Sequence, residues 1–92
     1  MILNSPHQLN EAEFAALVGR QCRLVSLEGD PDGIPVGTEG TIVWVGPLLP
    51  GAAIEHGQEW RQIGVKWSSG RGLCVILPPD CIEILPVDNL RN

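Results

Sequence analysis

A turn written in proline and glycine runs directly into an alternating strand at Ile34-Pro35-Val36-Gly37-Thr38-Glu39-Gly40-Thr41-Ile42-Val43-Trp44-Val45. Pro35 presets one backbone angle, and Gly37 supplies a conformation that side chains resist. From Glu39 onward the residues follow the pleat. Thr41, Val43 and Val45 fall on one face, and Ile42 and Trp44 on the other. No helix start follows this glycine-rich segment, so it is not a phosphate cradle, which needs one. The segment therefore sets architecture: a long loop ends, a strand begins, and the chain continues as strand and turn.

The same punctuation recurs along all 92 residues, with 11 glycines and 8 prolines placed between apolar runs. Gln21–Leu27 reads as a first strand, Glu39–Val45 as a second and Glu59–Trp67 as a third. In the third, Ile63, Val65 and Trp67 oppose Gln62, Gly64 and Lys66. Ser68-Ser69-Gly70-Arg71-Gly72 makes a tight hairpin. Leu73–Leu77 is a fourth strand. Pro78-Pro79-Asp80 interrupts the ladder, because neither proline can donate a hydrogen bond. Cys81–Leu85 is a short fifth strand. Residues 28–38 and 46–58 are long loops, and residues 1–8 and 86–92 are irregular tails.

One helix precedes the strands, over about residues 10–18. Asn10 and Glu13 have capping-box spacing, and Leu9 and Phe14 that of a hydrophobic staple. Glu11 and Glu13 bring negative charge to the positive helix end. Phe14, Leu17 and Val18 form an apolar stripe, and Gly19 ends the helix. A helix this short needs a docking surface: an open barrel end or a second subunit.

Five short strands, two long loops, a tight hairpin and a brief proline turn before the last strand resemble an SH3-like barrel over residues 20–85. A closer resemblance is to a family of small bacterial and phage domains of unknown function. It is carried by Arg23-Leu24-Val25-Ser26, by Pro35-Val36-Gly37-Thr38-Glu39-Gly40-Thr41, by Gly64-Val65-Lys66-Trp67 and by the Leu77-Pro78 pair before a closing apolar strand. The helix and loop 46–58 lie outside that pattern. The resemblance implies a five-stranded SH3-like barrel; with the chain length and the helix read from its capping spacing, the expected fold is a single domain, mainly β, with one short N-terminal α-helix. It implies no activity.

Composition narrows the function classes. Six basic and eleven acidic residues give a net charge of −5. That field opposes nucleic acid, whose binding rests on clustered Lys and Arg. The nucleic-acid alternative uses Arg61, Lys66 and Arg71 around the third strand and its hairpin, with Trp44, Trp60 and Trp67 available to stack bases. Three cysteines, Cys22, Cys74 and Cys81, show no metal-ligand spacing and read as buried thiols in a reducing, cytoplasmic setting. His7 and His56 have no ligand partners in sequence, and Asp30 and Asp32 flank a proline in a turn. No catalytic residue, metal site or cofactor is assigned, and no segment reads as a signal peptide or membrane span.

The SH3 resemblance places Trp60 and Pro79 at a proline-peptide groove. The chain has no tyrosine to complete such a groove, and Cys81 stands where one is needed. The expected role is therefore a non-enzymatic protein-binding or assembly module whose partner includes a second copy of itself. Loop 46–58 carries Leu48, Leu49 and Ile54, and a connection of that length in a compact domain is often functional. With Trp60 and Phe14 of the helix, these residues are the candidate interface. A small-ligand pocket lined by Trp44 or Trp60 is a third reading.

Overall fold

The computed structural model describes residues 1–27, 33–51 and 59–87. Its strands are β1 (Ile2–Leu3), β2 (Gln21–Ser26), β3 (Glu39–Val45), β4 (Arg61–Trp67), β5 (Gly72–Leu77) and β6 (Cys81–Ile84), with one helix, α1 (Glu11–Ala15), between β1 and β2. The strands form one antiparallel sheet in the order β1-β6-β2-β3-β4-β5. The chain is thus mainly β, as expected. The expected five-stranded barrel is not seen: the described residues form six strands, and the sheet is not closed, with β1 and β5 at its edges.

The sixth strand comes from the expected N-terminal tail. Ile2 and Leu3 pair with Glu83 and Ile82, and the Ile84 N–H donates to Met1 O at 2.8 Å. Leu3 is fully buried and Ile2 exposed, so two residues suffice to place one apolar side chain in the core.

α1 is shorter than the sequence stripe, and turns carry the chain on to Gly19. The capping box is complete: the Glu13 N–H donates to Asn10 Oδ1 at 2.8 Å, and the Asn10 N–H donates to Glu13 Oε1 at 2.9 Å. Gly19, at φ +92°, ends the segment and donates its N–H to Ile42 O on β3. Phe14 and Leu17 point into the core, whereas Val18 is exposed.

One face of the sheet supplies the core, which also takes Phe14, Leu17 and Ile34. Cys22 and Leu24 come from β2, Ile42 from β3, Ile63, Val65 and Trp67 from β4, Val75 and Leu77 from β5, and Ile82 and Ile84 from β6. A single sheet with one apolar face buries it by curling around it.

The Pro35–Thr38 segment is a turn closed by Thr38 N–H to Pro35 O, with Gly37 at φ +94°. It is tied back to β2 by hydrogen bonds between Leu24 and both Gly37 and Thr38. β3 then departs from simple alternation. Ile42 pairs with Val65 but Trp44 pairs with Gly64, so Val43 is an extra residue in the ladder. Ile42 and Val45 consequently face inward, while Val43 and Trp44 are both exposed.

Candidate functional site

The bulge builds an exposed apolar surface on the sheet. Beyond Ile42 the outer face of β3, β4 and β5 carries a cross-strand row of Trp44, Gly64 and Cys74. Gly64 has no side chain, and the Trp44 indole lies down across it; a Cβ on Gly64 would overlap the indole. Trp44 is still 42% exposed and Val43 47%. Beside them runs a groove of about 330 Å³ lined by Val43, Trp44, Lys66, Gly72, Leu73 and Cys74. In the next row, Lys66 pairs with Gly72 and stands exposed at the groove's rim.

The groove opens onto the β5 edge, whose open groups follow from the ladder. Trp67 N–H donates to Arg71 O, and Gly46 N–H to Gln62 O from the other side of β4. Antiparallel pairs alternate between bonded and non-bonded. Leu73, Val75 and Leu77 therefore bond to β4, and Gly72, Cys74 and Ile76 turn their backbone groups outward. Ile76 is already satisfied: its N–H donates to Asp80 Oδ2 at 2.8 Å and its carbonyl accepts from Asp80 N–H at 2.8 Å. Asp80, buried at the end of the Pro78-Pro79 turn, covers that end of the edge. Gly72 and Cys74 face outward with no described strand beside them.

The sequence-chosen residues scatter. Phe14 is fully buried, so it cannot form a surface contact. Arg61 leaves the basic cluster. It lies on the inner face of β4, 2% exposed, with its guanidinium 4.1 Å from the Phe14 ring centroid. It donates to both Glu11 carboxylate oxygens, at 3.2 and 2.6 Å, and to Gly46 O at 2.9 Å. A phosphate cannot reach a guanidinium already enclosed in this way. The bond to Arg61 also holds the Glu11 carboxyl below its ordinary pKa. Lys66 and Arg71 remain at the surface.

Trp60 is half-buried and held by the loop before it: its indole N–H donates to Pro50 O at 3.1 Å, and its backbone bridges Leu49. Leu48 and Leu49 are half-buried, and Ile54 and His56 lie outside the described residues. The described part of loop 46–58 thus docks on the start of β4. Trp67 is buried and donates to Leu73 O, so it is not a stacking surface.

The three cysteines are unpaired thiols, and burial raises the pKa of each, Cys22 to about 11. That is the reverse of an activated nucleophile. Among the described residues, no group of three or more His, Cys, Asp or Glu side chains is placed to hold a metal ion. His7 Nε2 lies 2.9 Å from Glu59 Oε1, beside a shallow pocket that includes Asn4 and Pro78. No described helix is long and apolar enough to cross a membrane.

Sequence reasoning missed the pairing of buried Arg61 with Glu11, the Asp80 cover of the β5 edge and the outward turn of Val43. Two signals were available. Arg61 stands two residues before Ile63, in phase with Ile63, Val65 and Trp67, so alternation places it inside. Gly64 within a strand marks a close approach by another group, here the Trp44 indole. No family model, curated protein or solved structure matches the chain.

Proposed function

We propose that this chain is a non-enzymatic protein-binding module whose contact surface is the outer face of β3, β4 and β5 around Trp44. The observation that carries this reading is the bulge at Val43. It turns two large apolar side chains to solvent at one place, in a chain whose other strand positions largely obey inside–outside patterning. A tryptophan held flat over a glycine is an ordered apolar anchor, the kind of group that dominates binding energy at interfaces. The SH3-like reading remains part of this proposal. It is supported by the strand succession from β2 to β6, the hairpin after Trp67 and the Pro78-Pro79 turn before β6. The contact surface lies away from the Trp60 and Pro79 positions of a proline-peptide groove. Where the partner is a second copy, the same face makes the contact.

Selection of a random peptide display library against the folded chain tests this. Enriched sequences that bind the wild type and lose at least about tenfold in affinity against Trp44→Ser support the reading. A library that yields no binder, or binders indifferent to both Trp44→Ser and Val43→Ser, overturns it. Light scattering on the same proteins reads self-association: a doubled mass that Trp44→Ser returns to the single-chain value identifies a second copy as the partner.

A further inference from the structure

Building on that reading, we infer that the β5 edge takes up an extended segment of another protein as an added antiparallel strand. That segment carries an apolar residue and, two positions later, an acidic one. Gly72 and Cys74 each turn one N–H and one C=O outward, so an incoming strand can make four backbone hydrogen bonds there. Asp80 already occupies Ile76 and fixes where the open stretch ends. Strand addition of this kind draws affinity from the backbone and selectivity from alternate side chains.

The selectivity follows from the two rows on the outer face. A residue opposite Cys74 extends the row Trp44–Gly64–Cys74. Cys74 is small, and Gly64 lets the indole lie low, so an apolar side chain at this position packs over Cys74 towards Trp44. The residue two further along lies opposite Gly72 and extends the row of Thr41 and Lys66. Gly72 has no side chain to intervene, so a carboxylate there reaches across it to the Lys66 ammonium, which has no ion pair among the described residues. A second copy fits this edge less well. Using the same two open residues, it sets its own Cys74 opposite Gly72 and gives Lys66 no carboxylate.

The probe is the peptide acetyl-Thr-Thr-Thr-Leu-Thr-Glu-Thr-amide, titrated to about 1 mM, a range that reads even weak association. Binding is followed by tryptophan emission and by amide hydrogen exchange. The expected result is binding that slows exchange at Gly72 and Cys74 while leaving Leu73 and Val75, already bonded to β4, unchanged. Replacing the peptide Leu by Ser weakens binding about tenfold or more. Replacing its Glu by Gln, or Lys66→Gln in the protein, weakens binding similarly, and the two changes together do little more than either alone. Methylating the peptide nitrogens of Leu and Glu abolishes binding. A methylated peptide that binds as well as its parent overturns the edge mode while leaving the Trp44 face as a binding surface. Absence of peptide binding alongside library binders that depend on Trp44 likewise overturns the inference alone, and absence of both overturns the proposed function too. A dimer of the unliganded chain that the peptide does not dissociate overturns it in favour of a second copy.

Discussion

Among the described residues, the outer face of the sheet is matched within the chain at its β6 end and unmatched at its β5 end. At the first end Arg23 bridges Glu83 and Glu39, at 3.2 and 3.0 Å, and Gln21 donates to the Thr41 hydroxyl at 2.9 Å. At the second, the same strand β3 offers Val43 and Trp44, over a glycine and beside a thiol. One residue separates the two regimes. Before Val43 the alternation that buries Ile42 sends polar Thr41 and Glu39 outward, and after the bulge an apolar pair takes the outward positions. Among the described residues, polar groups of this strand find partners at one end and its apolar groups face solvent at the other, which is why the proposed contact surface lies at the second end.

Two glycines give the sharpest test of this contrast, because each belongs to one end. A Cβ on Gly40 would come within 2.7 Å of Val65 Cγ1 and 2.8 Å of the Lys66 carbonyl oxygen. Backbone cannot yield cheaply, so Gly40→Ala costs about 1–3 kcal/mol. Thermal unfolding followed by circular dichroism should show the transition lowered by roughly 4–8 °C for each kcal/mol. With Gly64→Ala the three atoms nearest the added Cβ all belong to the Trp44 indole, which is 42% exposed and has room to move. The ring swings outward, stability falls by less than about 1 kcal/mol, and the tryptophan emission changes. Equal losses at the two positions would mean that the Trp44 end is as tightly built as the Gly40 end, and the contrast would fail.

The sequence exposed this contrast only in part. The capping box at Asn10 and Glu13, the turn at Gly37 and the inward row of β4 are local, and each formed where short-range spacing put it. The bulge is different in kind. Whether Val43 counts in the ladder depends on its partner, Gly64 or Val65, which lies about twenty residues away. Period two alone placed Val43 with Thr41 and Val45 and could not show the slip. Strand β1 was hidden for a related reason: two residues carry no period, and their pairing with β6 is a long-range event. The charge of Arg61 points to a basic surface, whereas its phase along β4 places it among buried residues.

Arg61 and Glu11 extend the matched regime to the helix, and pH probes that pair. Because the native pKa of Glu11 is depressed, its contribution is fully present above the unfolded value, near the ordinary 4.5, and is lost as pH falls through the native value. Glu11→Gln removes the negative charge facing the buried Arg61. The variant should therefore unfold at lower denaturant concentration than the wild type near neutral pH, and the two midpoints should converge as pH falls below the depressed native pKa of Glu11. A gap that persists unchanged in acid would assign the effect to α1 propensity, leaving the ion pair without a role.

The smallest effect belongs to the exposed pairs. Both carboxylates beside Arg23 raise its pKa, the larger influence being the hydrogen bond it donates to Glu39, yet Arg23 and Glu39 stand 41% and 52% exposed in solvent that screens them. Glu39→Gln keeps the shape, leaves Glu83 on Arg23 and should move the melting temperature by about a degree or less in physiological salt. At low ionic strength the shift should grow, and in about 1 M salt it should vanish. A large loss that salt does not diminish would show that Glu39 holds the Arg23 row by packing and not by charge. The β6 end would then be a structural seam, and polar matching would no longer set it apart from the proposed contact surface at the Trp44 end.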